Sequence, residues 1–375
     1  MICEPSYLDH KLRIKEQICE FIFRIQNWLL SHQVQIREGL HRGGVAGWLS
    51  EDGLPVFLYP EITGYYLTWL AFVSTAIGRS EEIDVRAQAA MSWLARQLSD
   101  GTVPSTRVYL TREVKDWHNE GIFAFDLAMI ARGVAAAQNL SNGAQGGALL
   151  DRLILHLLPF CKGAESLEPI LPCASHMEHS LRMRWSSMPG SYQAKTAAAL
   201  LSLPSRGAIP SILFQAASNS YLCWRNGTDL RGLLEELHPA FYCLEGNALA
   251  AAAGWDPQGW LLAEESYRRL VHSPALSHGS NGKIRSDVLA QALRLGCILK
   301  SRQLLQEPEW NQFLVKLAVG LCEFVEDDGA VRFSKNPSDS HKNVWSAIFA
   351  HQAFCFFEVV ATGQNLSNEW LRLLI

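Results

Sequence analysis

The sequence predicts an all-α fold: an (α/α)6 toroid of six outer and six inner helices, with short β-hairpins in the loops of one rim. Three observations carry that expectation. Helical segments alternate between two kinds, the alternation repeats roughly every 50 to 60 residues, and the long connections fall at one end of the pairs.

The first kind is amphipathic and lies near 11–32, 84–98, 147–160, 209–223, 258–271 and 309–325. In "DVRAQAAMSWLARQLSD", Met91, Leu94 and Leu98 form a stripe while Arg86, Gln88, Arg96 and Gln97 take other faces, so the helix covers a core on one side only. The second kind is apolar or small nearly all round: "EITGYYLTWLAFVSTAIG", "IFAFDLAMIARGVAAA", "SYQAKTAAALLSL", "AFYCLEGNALAAAAG", "DVLAQALRLGCILK" and "VWSAIFAHQAFCFFEVVA". A helix without a polar face is buried on every side, so these segments, starting near 61, 122, 191, 240, 287 and 344, form an inner ring. An open solenoid is the alternative, but its inner helices would face solvent and be more polar.

Bulk properties agree with a large core. The chain has 375 residues, 48% hydrophobic and 19% charged, with 15 prolines and 27 glycines, and reads as one toroid domain over 1–375. A net charge of -4 without any Lys/Arg-rich block disfavours nucleic acid and anionic membranes as partners. "MICEPSYLDHKLRIKEQ" lacks the apolar core of a signal peptide, and no run of 18 or more apolar residues suggests a membrane span, so a cytoplasmic protein is expected. Nine cysteines without a C-x-x-C pair, among them Cys243, Cys297 and Cys355 in apolar helices, read as reduced core residues. The oligomeric state is left open.

Links from inner to outer helix are short, whereas links from outer to inner helix are long and turn on Asp52-Gly53, Asp100-Gly101, Asn226-Gly227, Asn281-Gly282 and Asp328-Gly329. The long loops therefore gather where the inner helices begin, and a site is expected on that rim.

Polar residues mark those helix mouths. Glu61 opens the first inner helix, where a carboxylate also suits the helix dipole. "TREVKDWHNEGIFAFD" brings Arg112, Asp116, Trp117 and His118 before the second, with Asp126 inside it. The third carries Trp185, Gln193 and Lys195. In the fourth, His238, Tyr242 and Glu245 share a face; the fifth opens with Arg285, Asp287 and Gln291 spaced to align and the sixth with His341, Asn343 and Trp345, with His351 further in. Capping accounts equally well for Asp116 and Asp287, and a structural ion pair for Asp126 and Glu245. With Trp48 and Tyr65, the set describes a polar pocket lined by aromatic rings, a composition that suits a sugar.

The toroid with "GWLSEDG", "YPEITGYYLTWL", "WLARQLSDGTVP" and "EDDGAVRF" resembles bacterial proteins of the terpenoid-cyclase-like and six-hairpin glycosidase-like class, many of which accompany cell-surface polysaccharide genes. The Trp-Leu helix followed by Asp-Gly is similar to the repeats of squalene-cyclase-like proteins. The chain departs from two branches of that class. It lacks the Asp-x-Asp-Asp acid of class II terpenoid cyclases, and the Cys and Cys-His zinc ligands of lanthionine cyclases do not occur. No phosphate-loop, dinucleotide or H-E-x-x-H motif is present, so neither cofactor nor metal is expected.

Together these readings point to an enzyme acting on a saccharide or uronic-acid-containing substrate. A glycoside hydrolase would draw its two carboxylates from Glu61, Asp116, Asp126 and Glu245, with Asp116 or Glu245 as acid and Glu61 as base. A lyase or epimerase would use His118, Tyr242 or His238 to move a proton, with Arg112 and Arg285 neutralising charge. The alternatives are a non-catalytic toroid binding a glycan or a protein, and a cyclase-like tailoring enzyme of a small apolar metabolite.

Overall fold

The computed structural model describes residues 7–99, 104, 106–110, 114–141, 143–173, 184–203, 209–227, 237–273, 276 and 284–375. Outer helices α1 (Tyr7–Leu29), α3 (Glu81–Gln97), α5 (Gly143–Leu157), α7 (Ser211–Trp224), α9 (Gly259–Leu270) and α11 (Glu309–Cys322) alternate with inner ones. The inner helices are α2 (Pro60–Ala76), α4 (Ala124–Ala136), α6 (Gln193–Leu201), α8 (Leu237–Ala252), α10 (Ser286–Ser301) and α12 (Val344–Ala361), and a short α13 (Asn368–Arg372) ends the chain.

The inner helices form a closed ring: each touches the next, and α12 returns to α2. Every outer helix packs on the inner helix that precedes it in the chain, while α1 packs on α12, so the first and last long helices complete the circle. That closing contact separates a toroid from an open solenoid. α12 is, among the described residues, the one helix long and apolar enough for a membrane span, a candidate the sequence reading did not anticipate; 78% of it is buried in the protein.

Small residues let the ring close tightly. A Cβ on Gly133 of α4 would stand 2.0 Å from the Gly64 carbonyl oxygen of α2, and one on Gly246 of α8 would stand 2.5 Å from the backbone of Ala194 in α6. These helices meet backbone to backbone, which any side chain at those positions prevents.

The expected hairpins occur at Gly53 and Gly329, whose φ angles are +74° and +87°. Asp100-Gly101 and Asn281-Gly282 lie outside the described residues. The rim loops are also stitched to one another by antiparallel pairs: Trp48–Leu49 with Lys342–Asn343, Phe57–Leu58 with Val108–Tyr109, and Gly121–Phe123 with Ile170–Pro172. At the opposite end, α13 touches α2 and α8, which face each other across the ring. The Arg132 Nη2 donates to the Arg372 carbonyl at 2.7 Å and Gln352 Nε2 to the Leu373 carbonyl at 2.9 Å, so the C-terminal segment plugs that end. The described cysteines are all free, with Cys243, Cys297 and Cys355 buried.

Candidate active site

The first corner forms where α2 and α4 begin. Tyr59 is extended, Pro60 starts α2 with its fixed φ, and Glu61 follows in the first turn. Asp116 caps the 3-10 turn Trp117–Glu120 by accepting from the His118 N–H, and Asp126 lies in the first turn of α4. The Tyr59 hydroxyl donates to Asp126 Oδ2 at 2.7 Å and meets His118 Nε2, which is itself 3.2 Å from the same oxygen. His118 stacks flat on Phe123, with ring centroids 4.0 Å apart. Burial first, then Arg107, holds the His118 pKa well below the ordinary imidazole value, so it is neutral at pH 7.

Glu61 is surrounded deeply by protein yet keeps some solvent contact. Burial and then the Asp126 charge push its pKa up to about 8, against Arg107, a Tyr59 hydrogen bond and Lys195. It is a protonated acid at neutral pH. Asp116 behaves oppositely: although burial raises it, Arg107, the His118 N–H and the Tyr109 hydroxyl outweigh that and lower its pKa. Their surroundings thus favour the protonated form of Glu61 and the ionised form of Asp116, the opposite of the protonation states that Asp116 or Glu245 as acid and Glu61 as base would use.

The second corner joins α8, α10 and α12. Arg285, the residue before α10, grips Asp287 through Nε at 3.0 Å and Nη2 at 2.5 Å, and Trp345 Nε1 donates to the same carboxylate at 3.2 Å. Asp287 is not the N-cap residue, which is Arg285; it lies in the first turn of α10, where its Oδ1 also accepts the Val288 N–H at 2.9 Å. His238 Nδ1 lies 2.7 Å from Gln291 Oε1 and 3.5 Å from Asp287 Oδ2. Both are acceptors, so they fix the proton on Nδ1 and leave Nε2 as a lone-pair base. Burial first, with Arg285 adding and Asp287 opposing, takes the His238 pKa down to about 4.

Beneath the two corners, the Tyr65 and Tyr242 hydroxyls meet at 3.2 Å. Lys195 Nζ stands 4.3 Å from the centre of the Tyr242 ring and 2.7 Å from Glu245 Oε2, while Arg294 binds Glu245 Oε1. All three charged side chains are 0% exposed. Burial takes the Lys195 pKa down to about 7, and the two cations, against burial, keep the Glu245 carboxyl below its ordinary value.

Aromatic rings line the rim. Trp185 packs against Tyr192, Phe125, His238 and Tyr242, Trp48 against His341 and Trp345, and Arg184 lies over Trp117.

Several residues singled out from the sequence take other places. Glu245 and Lys195 pair with each other beneath the site, where neither reaches solvent. Gln193 is buried and braces two loops, accepting from Gly190 N at 3.1 Å and donating to the Leu167 carbonyl at 2.8 Å. Arg112 lies outside the described residues. Sequence reasoning missed Tyr59 and Arg107. Tyr59 and Arg107 sit in extended rim segments where no helical spacing marks them, but "RVYL" beside a strand is a readable aromatic and basic signal. Among the described residues no three His, Cys, Asp or Glu side chains converge to hold a metal.

The chain has an (α/α)6 toroid architecture. It is similar in structure to a sugar epimerase from a ruminal bacterium, with a TM-score of 0.66 and 10% identity over 95% of this chain and 100% of that one. It is likewise similar to cellobiose 2-epimerase from Spirochaeta thermophila (TM-score 0.62, 13% identity, 96% and 99% covered). An unsaturated glucuronyl hydrolase specific for heparin gives a TM-score of 0.56 at 11% identity, with 93% and 98% covered. No family model matches the chain, and no curated protein is similar to it in sequence.

Proposed function

We propose that this protein is a cofactor-independent enzyme that moves a proton on a saccharide, an epimerase or isomerase, with His238 as base and Glu61 as acid. The observation that carries this is the oriented imidazole: Gln291 and Asp287 hold Nδ1–H, Arg285 clamps Asp287, and Nε2 is left unprotonated on a ring that packs against Tyr242. A positioned base, itself oriented by a third group, is what abstraction of a carbon-bound proton needs. Across the floor, Tyr242 lies within electrostatic reach of Glu61, a carboxyl protonated at neutral pH.

Hydrolysis is less well served. It needs a second carboxylate free to activate water or attack the sugar. Asp116 is spent on Arg107, Tyr109 and the His118 N–H, Asp287 on Arg285 and Trp345, Glu245 on Lys195 and Arg294, and Asp126 is buried behind Tyr59 and His118. The same ionised groups make a poor lining for an apolar metabolite. The toroid of sugar epimerases and of a glucuronyl hydrolase raises the prior for a saccharide by analogy of fold alone.

The test is to incubate the protein with reducing mono- and disaccharides and separate the products by chromatography. A new stereoisomer or keto isomer, lost in His238→Asn, is expected. Release of a smaller sugar without isomerisation would make the protein a hydrolase instead.

A further inference from the structure

Arg107 leaves most of its hydrogen-bonding capacity unused. Its backbone is locked to Asn119 by two hydrogen bonds, N–H to Oδ1 at 2.8 Å and Nδ2 to the Arg107 carbonyl at 2.9 Å. Its guanidinium lies over the Phe57 and Tyr59 rings, 5.1 and 4.9 Å from their centres. Nη1 donates to Asp116 Oδ2 at 3.1 Å and the Tyr109 hydroxyl lies beside the guanidinium, but Nε–H is buried and has no acceptor among the described residues. A buried N–H without a partner is costly and calls for a reason.

Nε–H and Nη2–H lie on one edge of the planar guanidinium and point in parallel, the fork that grips a carboxylate with two hydrogen bonds. The group is pinned by its backbone, by two rings and by Asp116, so little entropy is lost when that edge is used. Glu61 and Asp126 lie within its electrostatic reach, so the guanidinium belongs to the corner that holds Glu61.

We infer that Arg107 selects a saccharide that bears a carboxylate, a uronic acid, by offering it the Nε and Nη2 edge. The inference rests on the saccharide reading above and narrows it. A monoanionic carboxylate fits better than a phosphate, because Asp116 and Asp126 beside Arg107 repel a dianion more strongly. For a proton-transfer reaction, the same contact would neutralise the group towards which negative charge moves when a proton leaves the adjacent carbon.

Binding of glucuronic, galacturonic and mannuronic acids is measured by calorimetry beside glucose, galactose, mannose and glucose 6-phosphate, on wild type, Arg107→Lys and Arg107→Gln. The inference expects one uronic acid to bind wild type about tenfold or more tightly than its neutral counterpart, the scale of one charge-assisted pair. It expects that preference of uronic over neutral sugar to vanish in both variants, including the lysine that keeps the charge but not the fork. The wild-type comparison stands alone if a variant fails to fold. Equal affinity for uronic and neutral sugars, or tighter binding of the phosphate, overturns the inference and leaves the saccharide reading standing. Failure to bind any of the seven sugars overturns both.

Discussion

Replacing Glu245 by glutamine tests whether the floor of the site is held by a buried ion triad. In the wild type one carboxylate lies between two cations, with Lys195 Nζ at 2.7 Å and Arg294 on the other oxygen, all 0% exposed. Glutamine keeps the shape and removes the only negative charge of the three. Stranding buried charge in this way costs about 3 to 5 kcal/mol. Unfolding entropy of about 2.1 cal/mol/K per residue over 375 residues gives roughly 0.8 kcal/mol per degree, so Tm should fall by about 4 to 6 °C. Lys195, already near 7, answers by releasing its proton. Its folded pKa lies below the unfolded value, so the unfolded chain binds more protons in the window above 7 and stability rises with pH there. In the variant that rise begins lower, which makes the deficit larger at pH 6 than at pH 8. Calorimetric melting at the two pH values reads both effects. A Tm within 1 °C of wild type at pH 6 would refute the reasoning, since the triad would then carry no net stability.

Glu61→Gln should behave in the opposite way. Its folded pKa of about 8 stands above the ordinary glutamate value of 4.5, so its contribution is fully present below 4.5 and is lost as pH rises to 8, at up to about 1.4 kcal/mol per unit. The glutamine variant should show a flatter stability curve over that window by urea denaturation. In activity, the wild-type rate should fall above pH 8 as the acid ionises, and Glu61→Gln should lose about 10²- to 10⁴-fold and show no such limb in a pH–rate profile. Asp287→Asn should lower kcat more than it raises KM in steady-state kinetics, because it disturbs the partner that holds the His238 tautomer without removing the base. Gly133→Ala should destabilise by about 1 to 3 kcal/mol in the same denaturation assay, because the added carbon would stand 2.0 Å from the Gly64 carbonyl oxygen.

The alternation of helices was legible because burial writes itself into periodicity: α12 has no polar face, and it sits in the inner ring. The pairing between rim loops was not, because strands two residues long, such as Trp48–Leu49 and Lys342–Asn343, carry no pattern of their own. Buried acids in apolar helices drew attention to Glu245 and Asp126, but spacing along one helix does not reveal a partner on another. Lys195 and Arg294, which neutralise Glu245, lie 50 and 49 residues away, and Lys195 itself read as a ligand. Arg107 shows the converse: nothing in "RVYL" tells that the Nε–H of its guanidinium finds no acceptor among the described residues.

The central claim is that His238 takes a carbon-bound proton from a sugar at the mouths of the inner helices. Proton NMR of a bound sugar in D2O with catalytic protein tests it most directly. The account predicts loss of one C–H signal through deuterium exchange, abolished in His238→Asn and strongly slowed in Glu61→Gln, with both variants folded. Turnover of that sugar with every C–H signal intact would contradict it.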